Sequence, residues 1–275
     1  MRSTDDVTIE VHDLGGSGDP FVIAHATGFC AGAYRPLAAR LAETHHVWGL
    51  DFRAHGDSTA PADGSFDWAD MASDLAAAID AVAGGAPVPV FGHSMGGACA
   101  VLAEQRRPGT LRSAYLYEPI IFPPLPEGTA TNGPSLATGA AKRRAVFASK
   151  AEALERYASR PPLDVFKASA LWAYVDSGFA EQPDGTVRLK CEPAHEAATF
   201  GAAGAADFEV AAQVRVPTVV AVGRVDAGFS PAMFGEGLVE AMPAARLERF
   251  PHLGHFGPFE DPDAVARSIL ASLGA

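Results

Sequence analysis

Short continuous apolar runs alternate with longer helical patterns over the first 120 residues. Val7–His12 alternates apolar and polar positions and predicts an edge strand. Phe21–His25 (FVIAH), Val47–Asp51 (VWGLD), Val88–Phe91 (VPVF) and Ala114–Tyr117 (AYLY) have no alternation and predict strands buried on both faces. Between them lie the helical segments Tyr34–Glu43 and Phe66–Val82. The second places Met71, Leu75, Ala78, Ile79 and Val82 on one face. The pattern predicts an α/β protein, a mainly parallel doubly wound sheet with helices on both faces.

After Glu118 the alternation stops. A proline-rich passage from Pro119 to Pro134 leads into helical segments at Gly139–Phe147, Lys150–Ser159, Val165–Asp176 and Glu192–Phe200. Ser149 with Glu152 is a capping-box start for the second of these. Strand and helix return at Pro217–Gly223, Met233–Met242, Ala245–Phe250 and Asp263–Leu273. The interruption is too long for a plain loop. It predicts an inserted helical cap over 119–216, with 1–118 and 217–275 as one core.

Composition narrows the function classes. The 275 residues carry 21 Lys+Arg against 33 Asp+Glu, a net charge of −12, which argues against nucleic acid or an anionic membrane as partner. Cys30, Cys99 and Cys191 are widely spaced without a CxxC, so neither a zinc site nor a disulfide framework is expected. The opening MRSTDDVTIE has two acids and no apolar core, unlike a secretory signal. The longest stretch free of Asp, Glu, Lys and Arg, Ala81–Ala103, holds five glycines and two prolines and is a poor spanning helix. These features lead to the expectation of a cytoplasmic protein acting on a small molecule. A homo-oligomer is compatible with them.

The sharpest chemical signal is Gly92-His93-Ser94-Met95-Gly96, set between the run Val88–Phe91 and the helical segment Gly97–Gln105. A serine on so tight a strand-to-helix turn needs small flanking residues, and it stands at the carboxyl edge of the sheet. A serine hydroxyl needs a base to attack at neutral pH. His255 lies in PHLGHFGP between the last strand and the last helix, at the same edge, with His252 as competitor.

The order of strand, GHSMG, insertion, late aspartate loop and final GH resembles the α/β-hydrolase family. His25-Ala26-Thr27-Gly28-Phe29 is similar to its HG loop. Asp51-Phe52-Arg53-Ala54-His55-Gly56-Asp57-Ser58 is similar to its D-x-R-G-x-G-x-S loop, with Ala54 where glycine is usual. The resemblance implies an oxyanion hole from the N–H groups of Met95 and Thr27, with the Thr27 hydroxyl as a third donor, and no metal or organic cofactor. It leaves two candidates for the acid that orients the histidine. Asp226, at the end of PTVVAVG, holds the family's commonest position. Glu118 ends an earlier strand, a position other members use, and is the only charge in AYLYEPIIFPPLP; a charge in such surroundings is costly unless paired.

Phe29, Trp172 and Phe256, with His93, are the candidate substrate-binding residues. Lys142-Arg143-Arg144 reads as a solvated face, with an anion-binding role as the alternative. The resulting expectation is a serine hydrolase that cleaves an ester-like bond of a small or medium, largely apolar acyl compound. A lactonase, a hydrolase of carbon–carbon bonds, a cofactor-free haloperoxidase and a non-enzymatic ligand receptor share the same constellation.

Overall fold

The computed structural model describes residues 1–4, 6–124, 133–225 and 230–274. Its core begins with β1 (Val11–Gly15), β2 (Pro20–Ala24), α1 (Arg35–Leu41), β3 (His46–Leu50) and α2 (Trp68–Ala83). β4 (Val88–His93), α3 (Met95–Arg106) and β5 (Leu111–Tyr117) follow. The insertion holds α4 (Gly133–Ala141), β6 (Val146–Phe147), α5 (Lys150–Ala158), α6 (Ala168–Gly178), β7 (Phe179–Glu181), β8 (Val187–Leu189) and α7 (Pro193–Gly201). α8 (Phe208–Ala211) follows, still within 119–216, and the core then resumes with β9 (Thr218–Val222), α9 (Gly235–Ala241), β10 (Ala245–Arg249), α10 (Gly257–Glu260) and α11 (Pro262–Leu273).

The seven core strands run in the order β1-β3-β2-β4-β5-β9-β10, parallel except for the edge strand β1. Two separate apolar cores cover its faces. Val22, Ala24, Val90, Leu116 and Val220 join Leu75 and Ile79 of α2 on one face. Phe21, Ile23, Phe91, Tyr115 and Val219 join Leu37 of α1 and Ile269 of α11 on the other. Successive strand residues point to opposite faces, so a strand buried on both must be apolar throughout. That is the physical content of the unalternating runs in the sequence. The edge strand forms at Val11–Gly15, a few residues later than the alternation over Val7–His12 suggests.

The insertion differs from the all-helical expectation. Residues Gly139–Phe147 split into the end of α4 and the strand β6, and β6-β8-β7 form a small antiparallel sheet. β7 and β8 are joined by a turn through Asp184-Gly185, where Gly185 has φ +83° and Gln182 N–H donates to the Thr186 carbonyl at 2.8 Å. Ser149 caps α5, accepting from Glu152 N–H at 3.2 Å, while the Glu152 carboxylate reaches back to Ala148 N–H at 2.7 Å. The insertion is tied to the core by Lys190–Asp57 at 2.8 Å and by Trp68 Nε1–H donating to the Thr199 carbonyl at 3.0 Å. Among the described residues no helix is long and apolar enough to cross a membrane.

Two buried histidines brace the loops at the carboxyl edge. His25 Nδ1–H donates to the Ala26 carbonyl at 2.8 Å and its Nε2 accepts from Phe52 N–H at 3.0 Å; His55 Nδ1–H donates to the Arg53 carbonyl at 2.9 Å. Burial holds their protonation down to about pH 3 and about pH 4. Unfolded, both would titrate near pH 6.5. As pH falls from there toward 4, the unfolded chain takes up protons that the folded chain refuses, so stability is lost across that window. The expected loss is a few kcal/mol by about pH 4.5. Melting temperature measured from pH 7 to 4.5 checks this, and His55→Gln should flatten the dependence.

Candidate active site

The turn from β4 into α3 carries Ser94 at φ 55°, ψ −116°, a conformation that L-residues rarely adopt. Packing holds it there. Ser94 N–H donates to the Tyr117 carbonyl at 3.0 Å, and Ile120 N–H donates to the Ser94 carbonyl at 3.2 Å. A side chain at Gly96 would collide with the Ala24 carbonyl, so only glycine lets α3 begin this close to β2.

β5 ends one strand away, and there the chain turns at Glu118 with φ +43°. Glu118 is fully buried, and both carboxylate oxygens are used. Oε1 accepts from Gly223 N–H at 2.8 Å and Oε2 pairs with His255 Nδ1 at 2.7 Å. A carboxylate can only accept, so Nδ1 bears the hydrogen in this pair and the neutral ring presents Nε2 as a free lone pair. This is the isolated charge of AYLYEPIIFPPLP, and its partner is a histidine. The other carboxylate considered, Asp226, lies outside the described residues.

The loop holding His255 is fixed from several sides. Tyr117 Oη–H donates to the Gly254 carbonyl at 2.9 Å, and Glu260 accepts from Gly254 N–H at 2.9 Å. His93 Nε2 meets the His255 carbonyl at 2.8 Å, and its Nδ1 meets Tyr34 Oη at 2.8 Å. A carbonyl only accepts, so Nε2 carries the hydrogen and Tyr34 donates to Nδ1. Tyr34 Oη in turn accepts from Ala26 N–H at 3.1 Å. One chain of hydrogen bonds therefore links the HG loop, the serine turn and the histidine loop. His93 is wholly buried with both nitrogens engaged, which corrects its reading as a substrate-binding residue. Burial, reinforced by the neighbouring His255, holds its pKa well below the usual histidine value, so it stays neutral. Tyr34→Phe is expected to lower kcat about tenfold with little change in KM, because it strands His93 Nδ1 and Ala26 N–H without disturbing the ring packing. Titration of active sites with a fluorophosphonate separates this from a folding defect, which would lower the number of labelled sites and leave kcat per labelled site unchanged.

Thr27 and Met95 face each other at the start of these two loops, with Thr27 Oγ1 donating to Met95 Sδ at 3.3 Å. The hydroxyl is thus turned to the thioether rather than free as a third donor. Among the described residues, neither the Thr27 nor the Met95 backbone N–H has a protein acceptor. Two unmet N–H groups beside a serine and a histidine can stabilise charge developing on a carbonyl oxygen.

A cluster of aromatic rings packs beside this group. Phe29 stacks on Phe259 at 4.8 Å and tilts against Tyr174 at 5.1 Å and Phe256 at 6.0 Å. Phe256 also meets the His255 ring edge-on at 5.4 Å. Trp172 does not join them. It is 49% exposed on α6, while Tyr174, two residues on and therefore on another side of the helix, turns inward. The expectation for Trp172 as a substrate contact is corrected accordingly.

The basic run is corrected as well. Arg143 is not on a solvated face: its guanidinium donates from Nη1 to Glu196 Oε2 at 2.5 Å and from Nη2 to Tyr157 Oη at 3.1 Å and Tyr174 Oη at 2.5 Å. Glu196 rests against Gly28, whose φ is +79°. A β-carbon at Gly28 would overlap Glu196 Oε1 and come within 3.4 Å of Arg143 Nη1. Neither Glu196 nor the burial of Arg143 has a sequence signal, because the two partners are 53 positions apart.

Three potential metal-binding groups, His12, Asp51 and Asp57, bring ligand atoms within 4.8 Å of one another. Asp51 already accepts from Ala31 N–H at 2.7 Å, Asp57 N–H at 2.9 Å and His12 Nε2 at 2.8 Å, and Asp57 is paired with Lys190. The cluster braces the loop.

Fold, serine turn and histidine loop together define one class of protein. The chain belongs to the alpha/beta hydrolase family, whose pattern matches residues 21–268. It is similar to (E)-2-((N-methylformamido)methylene)succinate hydrolase of Acinetobacter baylyi, 32% identical over 99 residues, a match covering 35% of this chain and 36% of that protein. The solved structure of E-2-(acetamidomethylene)succinate hydrolase superposes with a TM-score of 0.82 at 22% identity, over 100% of this chain and 98% of that one. An esterase from Exiguobacterium antarcticum superposes at 0.76 with 19% identity, over 100% and 98%.

Proposed function

We propose that this hydrolase is a serine enzyme that opens an ester-like bond of a small or medium acyl compound through an acyl-enzyme. The observation that carries the reading is the buried Glu118–His255 pair at 2.7 Å, beside the Ser94 turn. In this reading His255 Nε2 takes the Ser94 hydroxyl proton as Oγ bonds to the carbonyl carbon. The oxygen becomes an oxyanion, received by the Thr27 and Met95 N–H groups. As the tetrahedral centre collapses, the bond to the leaving group breaks and His255 Nε2–H protonates that group. Water, deprotonated by the same nitrogen, then attacks the acyl-serine, and the proton returns to Oγ as the acid departs. Glu118 holds the tautomer and stabilises the imidazolium.

A second reading, cleavage of an acyl C–N bond, is favoured by two relatives whose names specify amido-substituted methylene succinates. The same steps apply, with His255 protonating nitrogen instead of oxygen. Turnover of p-nitrophenyl esters of increasing chain length, set against N-acyl enamines of the same acyl groups, tests both. Efficient ester turnover with a burst of p-nitrophenol supports the first. Inert esters with hydrolysed enamides support the second. Slow turnover of everything with tight ligand binding would overturn both.

A further inference from the structure

Resting on the acyl-enzyme reading, we propose that Arg143, Tyr157 and Tyr174 form a subsite for a carboxylate carried by the acyl part of the substrate.

Hydrogen-bond donors outnumber acceptors in this cluster. Arg143 has five N–H hydrogens. Three are taken, by Glu196, Tyr157 and Tyr174. Among the described residues its Nε–H and second Nη1–H have no acceptor. Both tyrosine oxygens accept from Arg143, so each still has its own O–H to donate, and neither has a protein acceptor among the described residues. Burial pushes the Tyr174 hydroxyl pKa up, so it remains a donor at any working pH. Against them stands one oxygen, Glu196 Oε1, which has no protein donor among the described residues and lies over Gly28. Four donor hydrogens face one carboxylate oxygen. A carboxylate matches that surplus, since it offers two oxygens with about four lone-pair positions.

Location selects the substrate as the source of that carboxylate. Arg143 Nη1 is within 3.4 Å of where a β-carbon of Gly28 would stand, and Gly28 adjoins Thr27, whose N–H is a donor in the oxyanion position. Consecutive Cα atoms are about 3.8 Å apart, so the guanidinium is a short acyl chain away from the reacting carbonyl. The side chain is 21% exposed, open enough for contact yet held rigid by three partners. A preorganised fork of this kind loses little side-chain freedom on binding. Glu196 neutralises the guanidinium, which limits affinity for a second anion and favours release of a diacid product. The substrate class is therefore a half-ester or half-amide of a short dicarboxylic acid, about the length of succinate or glutarate, rather than a wholly apolar acyl compound.

The test compares monomethyl succinate and monomethyl glutarate with methyl butyrate, followed by acid release. The wild-type kcat/KM should favour the half-esters by about tenfold or more. Arg143→Gln combined with Glu196→Gln, which removes both charges together, should lower that preference roughly 10–100-fold, and Tyr174→Phe should lower it several-fold. Glutarate binding to the Ser94→Ala protein, measured by calorimetry, should weaken in the same variants. A wild-type enzyme that turns over methyl butyrate as well as the half-esters overturns the subsite and leaves the hydrolase reading standing. A preference retained in Tyr174→Phe and in the double variant does the same. If no ester is cleaved but the Ser94→Ala protein binds glutarate in an Arg143-dependent way, the ester reading falls and the subsite stands.

Discussion

Ser94→Ala is expected to abolish turnover, lowering kcat by roughly 10⁴–10⁶-fold, and to prevent covalent labelling by a fluorophosphonate, while the melting temperature stays near or above that of the wild type. The reason is local. Ser94 is held at φ 55° by its neighbours, so its side chain projects from the turn whether or not a hydroxyl is present. Losing that hydroxyl costs little packing and can relieve crowding at a strained position. Labelling followed by mass spectrometry checks the site directly. A label that survives on Ser94→Ala protein would place the nucleophile elsewhere.

Glu118→Gln should cost about 10²–10⁴ in kcat with a smaller change in KM. The amide keeps the size of the carboxylate and can keep the Gly223 contact through its oxygen. It then turns an NH₂ toward His255 Nδ1, which must give up its hydrogen to accept. The ring is left in the tautomer with Nε2–H, which cannot take a proton from Ser94. Asp226→Asn should be mild by comparison. The reverse ranking would assign the orienting role to Asp226.

Much of the architecture was legible in the residues because the relevant physics is local. Four apolar runs without alternation demand burial on both faces, and each became a strand of the parallel sheet. GHSMG demands a strand before it and a helix after it, and both are present. The isolated charge at Glu118 demands a partner on general electrostatic grounds. His255 could be proposed because a loop following a late strand of a parallel sheet emerges at the same edge as the serine turn.

Other features were written in the sequence but weaker. The hairpin of β7 and β8 carries the Asp184-Gly185 signal between short β-prone runs. Those strands are only three residues long and lie within a stretch dominated by helical periodicity. Arg143 shows the limit more sharply. Beside Lys142 and Arg144 it looks like one of three solvated cations, since a charge run is ordinarily exposed. Only the packing of α4 against α7 brings Glu196 to it, and only the inward turn of α6 brings Tyr174.

His93 and Trp172 fail as substrate contacts for a related reason. Composition says that an aromatic or a histidine near a serine turn can line a pocket, but direction is set by the phase of each element and by what packs on it. His93 is drawn under the turn by Tyr34 and the His255 carbonyl, while Trp172 is turned outward because Tyr174 takes the inward side of α6. The sequence by itself therefore determined the sheet, the serine turn and the kinds of group that could serve it, since those follow from patterns within a few residues. The tertiary structure alone decided which carboxylate meets His255 among the described residues, and which cation stands over Gly28. Those pairings join residues 137 and 53 positions apart, and no local pattern constrains them.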